Sequence, residues 1–418
     1  MGFYGKKYKI DSVDVRAFLA LTSAGLFGWE RFSSSSAAPG INPSSIDWKA
    51  VDWDAVMQLA REQALVGIVA SAFDAIGLGF ELQEVMDRSR RKDLAKKVYS
   101  IEQRNLKMES FIGKLFAGLE SKGLHPVLLK GQGVAQSYLN PQRRNPGDID
   151  VLLYGDEYES AKSLLSAKAQ KVMGEGAKEK QQQIYLGGFI VELHGSLRIL
   201  LGKKFDTELD RLYKRLFEEK HFRTAIFPGQ TDGQESGHPV KLPDINTDVL
   251  YVFCHMLHHF FEGGVGLRQV CDLCRLLYCY RNEIDREWLS AELEKLGFMT
   301  EWKAFGALMV DYLGMKPQYV PFLVDEGVDE GAKGAGGISR KWRRKARRIM
   351  AYILSTGNMG KNRDLSYKKK YPYIIKKLIS LMKIISNFWR LARIFPGNAA
   401  LVSLKGVREG MTDLADGR

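Results

Sequence analysis

Cysteine is scarce in this chain of 418 residues, and the four present, Cys254, Cys271, Cys274 and Cys279, fall within 26 residues of one another. That clustering is unlike the disulfide framework of a secreted domain and fits a reducing cytoplasm. Long hydrophobic runs are also missing. Ala17 to Trp29 has the apolar character of a signal peptide, with the small residues Ser36 to Ala38 behind it. Asp11, Asp14 and Arg16 interrupt the approach, however, and the run is too short to span a bilayer, so it reads as a helix docking on the core. No internal repeat of the kind a solenoid requires is present. At 45% hydrophobic residues the length is enough for a sizeable core and for two or three domains.

Acids are nearly absent from the C-terminal part. Lys333 to Arg418 holds 21 Lys and Arg against 4 Asp and Glu, a net +17, which leaves −4 for the rest of a chain whose total is +13. Any electrostatic partner is therefore to be sought in the tail.

What is present changes texture along the chain. After a Ser/Pro-rich break at Ser33 to Ser45, Trp48 to Leu78 carries apolar residues at helical spacing with Asp47 as N-cap, and Asp87 to Leu119 continues in the same manner. At Gly123 the pattern shifts. Pro126 to Leu129 reads as a strand, Lys130-Gly131 as a turn and Gln132 to Leu139 as a helix. Asn140 to Gly147 is a polar turn, Asp148 to Leu153 a strand, Glu157 to Lys168 a helix, and Ile184 to Leu193 a hairpin around Gly187-Gly188. From Asp244 to about Gly314 the spacing is helical again, and Gly331 to Gly337 links to the basic tail. The expected fold is α/β of the α+β kind. A small mixed-sheet core at 121–225 is flanked by an N-terminal helical domain at 1–120 and a C-terminal helical domain at 240–330, with the basic tail at 331–418.

Asp148 and Asp150 stand at i and i+2 of a strand, so both project from one face and can share a metal ion; acids at i and i+1 would diverge. Transfer of phosphoryl or nucleotidyl groups needs charge neutralisation and in-line positioning more than covalent chemistry, and carboxylates gripping Mg²⁺ supply it. Glu192, between Val191 and Leu193 in an apolar strand, is the natural third acid. His194 lies on the same face, where it can meet substrate or the carboxylates, or simply face solvent. Upstream, Lys130-Gly131-Gln132-Gly133 marks a strand-to-helix turn whose N–H groups can face phosphate oxygens, with Lys130 or Arg144 adding positive charge.

In these residues the chain resembles the uncharacterised nucleotidyltransferase family of the polymerase-beta-like, or kanamycin-nucleotidyltransferase-like, superfamily. The resemblance rests on Leu128-Leu129-Lys130-Gly131, on Arg144 to Leu152 and on Val191-Glu192-Leu193-His194, and extends through Tyr251 to Leu277 with Leu267-Arg268 and Asp272. It implies a nucleotidyltransferase core with helical flanks, with Asp148, Asp150 and Glu192 as catalytic, metal-holding acids for Mg²⁺ or Mn²⁺. Within that frame a nucleoside triphosphate, such as ATP, is the expected co-substrate, and the residues read above as facing it are Lys130, Gly131, Gln132, Arg144 and His194. Nucleoside monophosphate would pass to an unidentified hydroxyl acceptor with release of pyrophosphate. The superfamily's Gly-Gly or Gly-Ser is Gly131-Gln132 here, so Gln132 would replace a serine contact to phosphate. Two alternatives stand beside this reading: a nucleotide- or RNA-binding module whose catalysis is lost, and a toxin-like nucleotidyltransferase acting on tRNA.

Two further features carry alternatives. His255 and His259 at i and i+4, with Cys271-x-x-Cys274, have zinc-ligand spacing, yet both lie in apolar helical sequence where cysteine packs as a core residue. Arg268 and Asp272 can pair along their helix or reach toward the catalytic residues. Tyr373 to Phe395 forms a basic amphipathic helix, with Ile374, Leu378, Leu381, Ile385, Phe388 and Phe395 on one stripe and Lys376, Lys383 and Arg390 on another. Together with Trp342 to Arg348 it suits an anionic membrane surface or nucleic acid, or packs on the catalytic domain. The expected location is cytoplasmic, with peripheral attachment at the inner membrane surface as the tail's contribution.

Overall fold

A computed structural model describes residues 8–28, 43–74, 86–176, 180–231, 234–324, 337–362 and 372–400. The apolar N-terminal run forms helix α1 (Val13–Phe27), started by Ser12, and every residue from Ala17 to Phe27 is buried. Its Gly25 packs on the backbone of α3 (Val66–Asp74), where a Cβ would stand 1.9 Å from the Ile68 carbonyl oxygen. This segment is thus a core helix, as its interrupted, short hydrophobic run implies; Trp29 and Ser36 to Ala38 lie outside the described residues.

Asp47 caps only a single 3₁₀ turn, Trp48–Ala50, and Asp52 starts α2 (Trp53–Glu62) by accepting from Asp54 and Ala55 N–H. Residues 75–78 of the expected helical stretch fall outside the described set. Asp87 caps the long helix α4 (Arg88–Glu120).

Five strands follow: β1 (Val127–Leu129), β2 (Ile149–Leu152), β3 (Lys171–Gly176), β4 (Gln181–Leu186) and β5 (Phe189–His194). They form one mixed sheet in the order β1-β2-β5-β4-β3, in which only β2 and β5 run parallel. The short helix α5 (Gly131–Ala135) leaves β1, and α6 (Glu157–Ser166) leads out of β2. Gly187 and Gly188, at φ +61° and +84°, close the β4–β5 turn as glycine permits. One face of the sheet buries Ile149, Val151, Val191 and Leu193 against Tyr158 and Leu165 of α6 and Ile112 and Phe116 of α4. A second hairpin, β6 (Phe222–Thr231) and β7 (Gln234–Pro243), adds Phe227, Val240 and Leu242 to that core. Neither β3 nor this hairpin announces itself in the sequence.

The remaining helices are α7 (Lys203–Glu218), α8 (Ile245–Glu262), α9 (Leu267–Cys279), α10 (Arg286–Leu296), α11 (Met299–Leu313), α12 (Arg340–Thr356) and α13 (Tyr373–Ala392). Helix α8 begins where the sequence places it, with Asp244 accepting from Asn246 and Thr247 N–H. A larger core joins the first helices to these. Phe18 and Leu21 of α1 share it with Phe253 and Phe260 of α8, Trp302 and Phe305 of α11 and Ile353 of α12. Buried polar groups tie the ends of the chain together: Ser23 Oγ donates to Leu313 O (2.8 Å), and the Gln63 amide donates to Ile353 O (3.2 Å) and accepts from Leu267 N (2.9 Å). Each such pair stabilises by about 1 kcal/mol, and breaking one side costs more because the other stays buried. Among the described residues no helix is long and apolar enough to cross a membrane.

Candidate active site

The parallel register of β2 and β5 sets Asp150 beside Glu192 and Leu152 beside His194. Because side chains alternate with period two, Asp150, Glu192 and His194 share one sheet face. All three are buried. His194 Nε2 lies 3.0 Å from Asp150 Oδ1 and 3.4 Å from Glu192 Oε2. On the neighbouring strand Gln183 stands opposite Glu192 and donates to its Oε1 at 2.6 Å. The ligand atoms of Asp150, Glu192 and His194 lie within 4.8 Å of one another. Two carboxylates and an imidazole at that spacing fit a divalent cation, the carboxylates suiting Mg²⁺ or Mn²⁺ and the imidazole leaning toward Zn²⁺. Asp148, one residue before β2, projects into the same space but is exposed.

Lys130 reaches this cluster from the end of β1. Its backbone adopts φ +48° and ψ −141°, a region glycine normally occupies, so a side chain is kept there against local strain of order 1–3 kcal/mol. Its Nζ lies 3.0 Å from Asp150 Oδ1 and donates to His255 Nε2 of α8 at 2.8 Å. For His255 to accept, its proton must sit on Nδ1 and the ring must be neutral. Burial and the neighbouring Lys130 ammonium do hold its pKa well below the ordinary histidine value. Burial pulls the Lys130 ammonium down as well, but Asp150, Tyr251, Glu192 and Asp148 outweigh it and raise it above the usual lysine range. The same contest at Glu192 ends the other way for an acid. Burial raises its carboxyl, while the His194 and Gln183 hydrogen bonds and Lys130 hold it well below the ordinary value. His194 is raised on balance by Asp150 and Glu192 despite its burial. Asp148 is pushed up, first by the charge of Asp150.

These groups form one side of a cleft of about 380 Å³. The opposite wall comes from Tyr251, His255 and His259 of α8 and from Arg268 of α9, and Gly131 and Met359 complete the rim. Arg144 also lines it. Its guanidinium is buried and grips Asp272 of α9 with two hydrogen bonds, Nε to Oδ1 at 2.7 Å and Nη2 to Oδ2 at 2.8 Å, while Nη1 has no hydrogen-bond partner among the described residues. Arg268 Nη1 donates to Asn145 O at 2.8 Å and so braces the turn before Asp148. Asp272 is therefore committed to Arg144, a pairing across elements rather than the i, i+4 pair that its helix spacing suggests, and it also accepts from Tyr138 Oη at 2.7 Å. Burial and the adjacent Arg144 push the Arg268 guanidinium down.

Gln132 departs from the expectation that it meets phosphate. Its buried amide donates to Asn105 Oδ1 of α4 at 2.8 Å, because it lies on the face of α5 that packs on that helix rather than the face lining the cleft. Of this segment Lys130, Gly131, at φ +40°, and Val134 line the cleft instead. The cysteines behave as core residues: Cys254, Cys271 and Cys274 are fully buried among apolar side chains, and burial raises the Cys254 and Cys271 thiols above their usual range. On α8 the histidines point the other way, with the His255 and His259 rings 4.5 Å apart at the cleft. Among the described residues the group able to hold a metal ion is Asp150, Glu192 and His194.

The profile of a family described as uncharacterised nucleotidyltransferase matches residues 49–314, more than half of the chain. The chain belongs to this nucleotidyltransferase family. No curated protein and no solved structure matches it. The matched span of this nucleotidyltransferase includes the whole sheet, α8 and α9, and hence every cleft residue named above except Met359. Reasoning from sequence missed Gln183, Tyr251 and Met359. Gln183 was within reach, since a strand begun at Gln181 instead of Ile184 would have set it beside Glu192; nothing local signals the other two.

Proposed function

We propose that the enzyme transfers a nucleoside monophosphate from a nucleoside triphosphate to a hydroxyl acceptor within this cleft and releases pyrophosphate. The observation that carries the reading is the pairing of Asp150 with Glu192 on adjacent parallel strands, buried at the floor of a cleft with arginines in its wall. A divalent cation, Mg²⁺ or Mn²⁺, held by Asp150 and Glu192 with His194, would neutralise phosphate charge and activate the acceptor oxygen. Arg144, through its uncommitted Nη1, Arg268 and Lys130 supply the charge that orients the triphosphate. Glu192 has both carboxylate oxygens engaged, by Gln183 and by His194, which suits it to hold charge rather than to collect a proton. Asp148, the exposed acid of the three, takes the acceptor's proton as its oxygen bonds to the α-phosphorus. The bond from that phosphorus to the bridging oxygen breaks, and the pyrophosphate carries the electron pair away. The need for nucleoside triphosphate supports a cytoplasmic site of action.

The test is incubation of the full chain with Mg²⁺ or Mn²⁺, a cell extract and each nucleoside triphosphate labelled at either the α or the γ position. We expect α label to enter an acceptor and γ label to appear in pyrophosphate. Transfer of γ label to the acceptor would mean a kinase, and no nucleotide binding under any condition would overturn the reading.

A further inference from the structure

Helix α13 is built inside out. Along it Ile375, Leu378, Met382, Ile385 and Trp389 recur at alternating steps of three and four, one stripe of the helix surface, and Leu381 flanks it. These apolar side chains are its exposed ones: Leu378 is 55% exposed, Met382 48% and Trp389 61%. The cations Lys376, Lys377, Lys383 and Arg390 are half-buried. A surface helix of a protein meeting only water shows the reverse order. The C-terminal end of the helix is fixed to the body, which prevents the stripe from turning inward. Leu391, Ile394 and Phe395 are buried, Phe395 against Phe260, Phe261 and Phe305. Tyr352 Oη of α12 donates to Asn387 Oδ1 at 2.9 Å, and the Arg390 guanidinium lies over the Tyr352 ring. The neighbouring α12 carries seven Lys and Arg and α13 four, and neither contains an acid.

We infer that α13 is a membrane-docking element that lies in the plane of an anionic phospholipid surface. Its apolar stripe enters the acyl boundary with Trp389 at the headgroup level, and its lysines reach the lipid phosphates from the sides. The outermost position of the apolar groups favours lipid over nucleic acid, which would meet cations first. The wholly cationic pair α12 and α13 favours an anionic surface over a second copy of itself. Of the stripe read from the sequence, Phe388 and Phe395 do pack on the body of the protein, while Leu378, Leu381 and Ile385 are exposed, so the helix is held at its C-terminal end and its middle stays uncovered by the described residues.

The experiment is co-sedimentation of the full chain with vesicles of phosphatidylcholine alone or mixed with phosphatidylglycerol, at low and high salt. The wild type should pellet with the mixed vesicles and much less with phosphatidylcholine. Leu378→Glu/Ile385→Glu/Trp389→Glu should cut the pelleted fraction about ten-fold while melting at the wild-type temperature, since the changed side chains are exposed. A blue-shifted fluorescence component on vesicle addition should vanish in Trp389→Phe. The inference is overturned if the triple variant pellets like the wild type or the wild type ignores both vesicles. It is equally overturned if the stripe's loss instead abolishes a dimer or RNA retention with vesicle binding absent throughout.

Discussion

On the open face of β2 and β5, Asp150, Glu192 and His194 turn their ligand atoms toward one another at the floor of a cleft. On the core side of α8 and α9, Cys254, Cys271 and Cys274 turn theirs into leucine and phenylalanine. Both groups have the spacing of metal ligands along the chain, and what separates them is where each element faces. In a strand, period two and an in-register neighbour bring three side chains to one point. Along an amphipathic helix the cysteines occupy the positions that any small apolar residue would, and the histidines of the same helix face away from them. Residue type therefore nominates a site, and the surface each side chain shares with others decides it.

The largest way to break this comparison is to exchange the effects. Asp150→Asn or Glu192→Gln should lower kcat for nucleotidyl transfer by about 10³-fold, since preorganised charge at a reacting phosphate contributes on that scale. Cys271→Ala/Cys274→Ala should leave kcat within about two-fold, as core packing remote from the reacting atoms does. Steady-state rates for these variants decide it, and a loss in the cysteine variant alone would reverse the assignment.

Next in size is the Arg144–Asp272 pair, buried at 2.7 and 2.8 Å in the wall of the cleft. Asp272→Asn strands a buried guanidinium and should cost about 3–5 kcal/mol in urea denaturation, with Arg144→Met/Asp272→Leu recovering part of it. A loss below about 1 kcal/mol would mean that the pair is solvated.

For Cys271→Ala the expected loss is about 1 kcal/mol from removed packing, with bound metal per chain unchanged by elemental analysis.

A further test concerns pH. Burial, then His258 and Lys130, lower the His259 pKa from 6.5 to about 3. Its folded value lies below the unfolded one, so the unfolded chain takes up the proton first as pH falls. Stability is then lost between about pH 6.5 and 3. His259→Asn should flatten the slope of stability against pH in that window, read from melts at successive pH values; an unchanged slope would show that His259 is solvated.

Much of the sheet side was legible because strand periodicity is local. Asp150, Glu192 and His194 could be set on one face from the sequence, and the glycine pair at 187–188 marked the β4–β5 turn, whereas Asp148, read as the strand's first residue, stands just before β2 and apart from the group able to hold a metal ion. The direction of Gln132 was not legible, since it depends on α4 packing against α5 from 27 residues away in the chain. Strand β3 and the β6–β7 hairpin were missed because Lys, Gly, Pro and Gln interrupt their alternation. Met359 reaches the rim from beyond the glycine-rich linker, a contact no local pattern encodes. In α13 the amphipathic character could be read, but of the stripe taken from the sequence Phe388 and Phe395 pack inward, and Met382 and Trp389, left out of it, are exposed, because Phe395 anchors the helix end in the core.

The most direct measurement is Mn²⁺ binding, followed by electron paramagnetic resonance, in the wild type, Asp150→Asn/Glu192→Gln and Cys271→Ala/Cys274→Ala, each with and without nucleoside triphosphate. The account predicts that the wild type and the cysteine variant bind Mn²⁺ alike, more tightly with nucleotide, and that the acid variant loses the ion. Binding that survives in the acid variant and disappears in the cysteine variant would contradict it.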